Sequence, residues 1–198
     1  MNRRLAVAAA AAVAASLTAV PAHAAKVLCL QLTDPEGDGS ILGTVPQSQD
    51  ALDIVSGDIA TGRKNVVAVL RMKSLNADTP LGGRQYQFAF TAGGVTYTLT
   101  HTVNLDGTTR GSLGDGTGTT PVDAVVDASS GSVTWTVPRK AVAALKTSGA
   151  KISGLTGKAS YSVAMQVPGG TYDSATPSDL AESGKTYVDG TPTCLRGV

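Results

Sequence analysis

The 198-residue chain is poor in aromatic residues, in charge and in cysteine. Aromatic residues make up 4 % of the sequence and charged residues 16 %, whereas helical bundles are richer in Leu, Glu and Lys. The densest basic pairs are Arg63-Lys64 and Arg139-Lys140, and neither is interleaved with aromatic residues. We therefore expect no nucleic-acid partner. The sequence does contain 23 glycines and many Thr and Ser residues, a composition typical of a β protein with many turns.

Residues 1–24 have the pattern of a secretory signal peptide. Arg3 and Arg4 precede an apolar run over residues 5–20, and Ala22-His23-Ala24 supplies a small-x-small cleavage site. The apolar run is short and rich in Ala, so we predict export with cleavage rather than a retained anchor, and no membrane span in the mature chain. Removing the two arginines leaves 14 basic against 15 acidic side chains, a net charge of −1 for a secreted, extracellular protein.

The two cysteines lie near the two ends of the mature chain, at Cys29 and Cys194. An oxidising compartment favours a disulfide between them. In the chain-entropy model a loop of this length contributes at most about 5 kcal/mol to stability. Two free thiols are the alternative.

Short β-type segments separated by turn residues recur along the mature chain. Residues 85–92 and 95–103 flank Gly93-Gly94, a two-residue hairpin signal. Only residues 138–146 have helical features, with Pro in the first turn and Lys at the end. About eight or nine strands at this spacing predict an all-β fold, an antiparallel sandwich or barrel with one short helix.

Glycines and prolines interrupt the strand periodicity beyond residue 167. We therefore predict that residues 25–167 form the β domain. Residues 168–198 are expected to be an irregular tail that packs on this domain and is tied to it by the disulfide. The sequence shows no internal repeat and no second domain.

Period-two alternation assigns most aromatic side chains to apolar strand faces. Only Tyr172 and Tyr187, both in the tail, remain free to present a ring to a ligand. Thr residues occupy the opposite faces of the same strands, which is typical of an exposed sheet surface. The aromatic residues predicted to lie in the core are Tyr86, Phe88, Phe90, Tyr97, Trp135 and Tyr161.

Few catalytic schemes fit the residues that are present. Once His23 leaves with the signal peptide, His101 is the only histidine, and we interpret it as structural rather than as a lone ligand or base. The sequence contains no G-x-S-x-G elbow, no zinc-type spacing and no phosphate-binding glycine motif. We predict a protein that is not an enzyme. Catalysis by a carboxylate pair stays open, because 13 of the 15 acidic residues are Asp and allow many pairings.

The densest polar segment is Asp34-Pro35-Glu36-Gly37-Asp38-Gly39-Ser40. Oxygen ligands at alternate positions suit a hard cation, because such a loop curls its carboxylates around one point. The segment is not an EF-hand, since the twelfth position from Asp34 is Val45 rather than Glu. A cation would need further ligands, for instance Asp50 or Asp53, and an ordinary acidic turn is the alternative.

The order of these features resembles that of the DOMON-like β-sandwiches. The chain has an Asp-Pro-x-Gly-Asp loop after the first strand, then Leu52-Asp53-Ile54 at a strand start, then a hairpin partner beginning near Asn65. Residues 131–139 look like the family's penultimate strand. The chain is most similar to family-nine carbohydrate-binding modules and to the C-terminal module of glucodextranase-type enzymes. The resemblance spans roughly residues 27–167, whereas the cysteine-containing tail resembles small exported actinobacterial proteins.

This resemblance implies an immunoglobulin-like β-sandwich with a structural calcium ion in its acidic loop. In some branches of the family it also implies sugar or haem as ligand. Sugar-binding relatives use exposed aromatic residues, whereas the alternation places Trp135 in the core. Haem-binding relatives use axial Met and His or Lys, for which Met72, Met165 and His101 are the candidates here. Carried over position by position, the metal ligands are Asp34, Glu36, Asp38 and Asp53.

The main functional prediction is therefore a secreted, non-catalytic binding or surface-interaction module that contains a structural calcium. Its extracellular ligand is unidentified, and the resemblance points to a polysaccharide or the cell wall. A carboxylate-based extracellular hydrolase, or an inhibitor of one, is an alternative. A haem-binding domain of DOMON type is the other.

Overall fold

The structure is a computed structural model that describes residues 29–39, 50–75, 83–104, 106–167 and 170–191. The predicted signal peptide and Cys194 lie outside these ranges. In the described part of the chain, no helix is long and apolar enough to cross a membrane. The strands of this part are β1 (Leu32–Thr33), β2 (Ile54–Thr61), β3 (Asn65–Met72), β4 (Gly83–Ala92), β5 (Val95–Val103), β6 (Thr109–Gly114), β7 (Thr119–Pro121), β8 (Asp123–Asp127), β9 (Ser132–Pro138), β10 (Lys151–Val167), β11 (Gly170–Ser183) and β12 (Tyr187–Val188).

The strands form two antiparallel sheets. One sheet has the order β1-β2-β3-β9-β8. The other has the order β11-β10-β4-β5-β6-β7, and β12 pairs with β10 beside it. The prediction of an all-β antiparallel sandwich is confirmed.

The core lies between the two sheets, where small residues allow the strands to approach. A Cβ at Gly57 in β2 would lie 2.9 Å from the Phe88 ring, and a Cβ at Gly157 in β10 would lie 2.7 Å from the Leu70 side chain. Leu32 of β1 is fully buried beside both glycines. The short β1 strand therefore anchors the acidic loop that follows it to the centre of the sandwich.

The face assignments made from alternation are confirmed for the aromatic core. Each of the six predicted aromatic residues is buried, and Phe88, Phe90 and Trp135 are fully so. The Phe90 and Tyr97 rings stack with their centroids 5.3 Å apart across the β4–β5 hairpin. The predicted Gly93-Gly94 turn connects these two strands, and both glycines have positive φ.

Two predicted local features differ in the structure. Instead of one helix over residues 138–146 there are two short 3₁₀ turns, Arg139–Ala141 and Ala143–Leu145. Between them Val142 adopts an extended conformation and is fully buried. A segment this short gains little from helix formation alone, so the burial of Val142 and Leu145 decides its conformation.

An irregular tail is expected after residue 167, but its described part, residues 170–191, is largely β-strand. β11 pairs with β10 over most of its length, because the long β10 strand offers an open edge to the returning chain. Ala159 pairs with Asp179 and Ser160 with Pro177, so Ser178 is an extra residue in a β-bulge. Proline lacks an N–H donor and is tolerated at such irregularities.

Candidate metal centre

Three carboxylates converge at one end of the sandwich. Asp34 and Asp38 lie in the loop after β1, and Asp179 lies in β11. Each offers an oxygen atom within 4.8 Å of the other two. Asp34 and Asp179 are half-buried and Asp38 is exposed, so the group opens from the protein interior towards solvent.

The acidic loop is folded over Asp53, the residue that precedes β2. The Gly37 N–H donates a hydrogen bond to Asp53 Oδ2 at 2.7 Å. Gly37 has a φ of +96°, a conformation that disfavours any residue with a side chain. Gly39 passes so close that a Cβ there would lie 2.7 Å from the Asp53 Cα. The two glycines of the Asp-Pro-x-Gly-Asp-Gly segment are therefore required by backbone geometry.

Asp179 is held in place by main-chain donors. The Ile54 N–H donates to its Oδ2 at 2.5 Å, and the Leu180 N–H donates to its Oδ1 at 2.7 Å. A β-bulge at Ser178 immediately precedes Asp179, and such bulges change the direction in which the neighbouring side chains point. The seven-stranded sheet thus supplies one carboxylate to a group whose other members lie between β1 and β2 of the five-stranded sheet.

Asp53 lies beneath the loop as a fully buried carboxylate. Its Oδ2 accepts the Gly37 hydrogen bond and lies 4.0 Å from Lys73 Nζ, whereas its buried Oδ1 has no hydrogen-bond partner. Asp34 Oδ2 is likewise buried without a hydrogen-bond partner. Buried carboxylate oxygens without partners are costly, and a bound cation satisfies them.

The carboxylates perturb one another electrostatically. Burial, and then the charges of Asp179 and Asp38, raise the pKa of Asp34 to about 7. Burial also raises the pKa of Asp53 and of Asp179, although hydrogen bonds from main-chain N–H groups lower both in part. Without a cation, the group therefore holds a proton in the range where isolated Asp side chains are ionised. A divalent cation would replace that proton and allow full ionisation.

The structure brings together part of the ligand set expected from the sequence. Asp34 and Asp38 belong to the cluster, and Asp53 lies directly beneath it. Glu36 is exposed and does not belong to the group of three. Asp179 was missed, because nothing in the Pro177-Ser178-Asp179 segment distinguishes it from a turn until β11 is paired with β10.

The donor set consists of oxygen atoms only. Oxygen-only coordination favours hard cations such as Ca²⁺ or Mg²⁺ over Zn²⁺ or copper. Calcium takes six to eight oxygens in flexible geometry, so three carboxylates would be completed by main-chain carbonyl groups and water. Magnesium demands stricter octahedral geometry, which makes calcium the better match for a loop of this kind.

Of the remaining histidine and aromatic candidates, the structure describes the side chains of His101 and Tyr187, and both are buried. His101 is 2 % exposed, stacks on Tyr86 with ring centroids 6.4 Å apart, and has no hydrogen-bond partner at either ring nitrogen. Its structural interpretation is supported, and an imidazole so enclosed does not fit an axial haem ligand. Tyr187 is buried and hydrogen-bonds to Thr61 at 3.3 Å and to the Thr191 carbonyl at 3.2 Å, so the prediction of a free ring is wrong for this residue. The side chains of Tyr172 and Met165 lie outside the described part of the structure.

Comparison of the chain with protein-family models, curated proteins and solved structures found no significant match.

Proposed function

We propose that this chain is a secreted, non-catalytic binding module whose loop end is stabilised by one calcium ion. The observation that carries the calcium part of this proposal is the convergence of Asp34, Asp38 and Asp179 within 4.8 Å of one another. The oxygens Asp34 Oδ2 and Asp53 Oδ1 support it further, because both are buried acceptors without a hydrogen-bond partner.

The local architecture supports a structural role for this ion. The acidic loop follows β1, and Asp179 belongs to β11, so a cation bound by both would link the two sheets. Asp179 is restrained by two main-chain N–H groups, and the loop is restrained by the Gly37 hydrogen bond to Asp53. Preorganised oxygens of this kind favour a fixed ion.

The binding role has separate support. The predicted signal peptide directs the chain outside the cell, and the resemblance to carbohydrate-binding sandwiches suggests a polysaccharide or cell-wall ligand. The enclosed His101 leaves the mature chain without a histidine for acid–base chemistry at its surface. These features favour a binding module over a histidine-dependent enzyme.

The calcium site is tested by thermal denaturation of the full chain, secreted with its own leader, in millimolar calcium and in chelator. A ligand whose free concentration is about 100 times its Kd stabilises the folded state by about 2.7 kcal/mol. For a domain of this size this corresponds to a rise in Tm of about 5–10 °C. We expect Asp34→Asn and Asp179→Asn to lose this rise. Magnesium in place of calcium measures selectivity.

Asp115→Asn provides a matched control. Asp115 is exposed in a different turn, where it accepts a hydrogen bond from the Thr117 N–H at 2.9 Å, and Asn preserves this interaction. The control variant should keep the full calcium response. Identical melting curves of the unsubstituted chain in calcium and in chelator would refute the metal site.

The same cluster supports a second candidate function, a carboxylate-dependent hydrolase. Asp34, with its pKa raised to about 7, lies beside Asp179, and paired carboxylates that share a proton can act as acid and base. This candidate predicts release of reducing ends from a polysaccharide in chelator. It also predicts that Asp34→Asn abolishes this release. A calcium-dependent rise in Tm without any hydrolysis would instead support the structural calcium ion.

A further inference from the structure

Two basic dipeptides that are far apart in the sequence lie side by side in the fold. Arg63 and Lys64 form the turn between β2 and β3, and Arg139 and Lys140 open the first 3₁₀ turn after β9. The main-chain N–H of Arg139 donates a hydrogen bond to the main-chain carbonyl of Lys64 at 2.7 Å. The antiparallel pairing of β3 with β9 thus forces both dipeptides to the same end of the sandwich.

These residues line two adjoining surface depressions of about 510 and 570 Å³. Arg63, Arg139 and Lys146 border both depressions, so the two form one continuous concave surface. Lys146 follows the second 3₁₀ turn and brings a third segment of the chain to this surface. We call this surface the basic depression.

Most of the cations that border the basic depression have no ionic partner in the described part of the chain. Arg139 is the exception, because its guanidinium binds both carboxylate oxygens of Asp189, at 2.7 and 2.5 Å. Among the described residues, none of the other cations here forms an ion pair. These exposed cations are Arg63, Lys64, Lys140 and Lys146.

The acidic cluster and the basic depression lie at opposite ends of strand β2. Strand β2 begins beside the acidic cluster, at Ile54, and ends at Thr61 beside the basic depression. Eight extended residues span about 25 Å, which is more than twice the Debye length of about 8 Å at physiological ionic strength. A ligand at the basic end therefore experiences the local cations, even though the predicted mature chain has a net charge of −1.

The lining also indicates which anions fit. Arg63 offers a planar fork that matches phosphate and carboxylate oxygens, and the lysines act as mobile point charges. None of the described residues that border the basic depression is aromatic, so these residues offer nucleobases no stacking surface. The concave surface is open rather than enclosed, which suits repeated anionic groups of a polymer better than a buried small molecule.

We propose that the basic depression binds the phosphate or carboxylate groups of an extracellular anionic polymer. This inference rests on the proposed function for its extracellular setting and is independent of the calcium site. It assigns the binding surface to the end of the sandwich opposite the acidic loop. The surface is formed by the β2–β3 turn and the segment that follows β9.

Retention on a set of cellulose matrices tests the inference, using the full chain secreted with its own leader. Phosphocellulose, carboxymethyl cellulose and unmodified cellulose present phosphate, carboxylate and no charge on the same backbone, and single-stranded DNA-cellulose adds a nucleic acid. We expect salt-sensitive retention on one or both charged celluloses and none on unmodified cellulose. Stronger retention on phosphocellulose identifies phosphate as the preferred group, and stronger retention on carboxymethyl cellulose identifies carboxylate.

A charge-matched pair of double variants separates the basic depression from net charge. Arg63→Gln with Lys140→Gln should weaken retention about fivefold or more. Arg110→Gln with Lys158→Gln removes the same charge from β6 and β10, outside the depression, and should retain nearly normal binding. Equal losses in both double variants, no retention on either charged cellulose, or stronger retention on DNA-cellulose would each overturn the inference. An unchanged calcium-dependent Tm in the depression variant shows that its binding defect is separate from the metal site.

Discussion

The main-chain N–H of Ile54 donates to the Asp179 carboxylate at 2.5 Å, across 125 residues of sequence. Ile54 opens β2 in the five-stranded sheet, and Asp179 lies in β11 of the seven-stranded sheet. The acidic cluster therefore forms only when the two sheets are docked. A cation that binds it stabilises the folded state over the unfolded chain by mass action.

The metal-free protein is expected to lose stability as the pH rises towards neutrality. Burial and the neighbouring Asp179 and Asp38 charges raise the pKa of Asp34 from 3.8 to about 7. Its stabilising contribution is full below the unfolded pKa and is lost as the pH rises through the folded pKa. In chelator, Asp34→Asn should therefore melt above the unsubstituted chain at pH values above about 7. Melting curves across this range check the prediction, and a lower Tm for the variant at alkaline pH would contradict it.

His101 gives the opposite pH dependence. Burial, and secondarily the charge of Arg84, lower its pKa below the ordinary value of 6.5. Its contribution to stability is full above the unfolded pKa and is lost as the pH falls through the folded value. His101→Phe keeps an aromatic ring against Tyr86 but removes the titratable imidazole. On acidification the Tm of the variant should therefore fall less than that of the unsubstituted chain. The comparison is made in saturating calcium, and equal acid slopes for the two proteins would argue against a buried neutral histidine.

The Arg139–Asp189 pair is expected to contribute strongly to stability. The Asp189 side chain is fully buried, and its two carboxylate oxygens accept hydrogen bonds from the two terminal nitrogens of the Arg139 guanidinium. The Arg139 side chain is 21 % exposed. Asp189→Asn should lower the free energy of unfolding by about 2–3 kcal/mol, which is less than the loss for a fully buried pair. The Tm should fall by about 5–10 °C. Asp50→Asn breaks the partly exposed Lys73–Asp50 pair, leaves Lys73 beside Asp53, and should change Tm far less. Similar losses in the two variants would contradict this assignment.

The predicted Cys29–Cys194 disulfide should be a major source of stability. The segment next to Cys29 is hydrogen-bonded to the end of β11 and to the chain that follows it. Ser183 Oγ donates to the Gln31 carbonyl and Lys185 Nζ to the Leu30 carbonyl, each at 2.5 Å. Removal of a disulfide that closes a long loop lowers the free energy of unfolding by about 2–5 kcal/mol. Reduction, or replacement of both cysteines by Ser, should therefore lower Tm by roughly 5–15 °C. Reductant should not affect the double variant. Alkylation of both cysteines in the unreduced, denatured protein would disprove the disulfide.

The sandwich could be predicted from the sequence because its strands carry strong local signals. Tyr86, Phe88 and Phe90 alternate with polar or small residues, and Gly93-Gly94 marks the following turn, so both strand and face could be assigned. The short 3₁₀ turns and β11 could not be assigned in this way. Their local propensities are weak, and the burial of Val142 and the open edge of β10 decide their conformations.

For the candidate site, the sequence alone determined the acidic loop and the glycines that let it fold over Asp53. Only the tertiary structure decided that Asp179 completes the carboxylate group and that Lys64 meets Arg139. Both relationships depend on strand pairing between distant segments. Local composition encodes turns and strand faces because those depend on neighbouring residues, whereas charges meet across a protein only through the register and docking of its sheets.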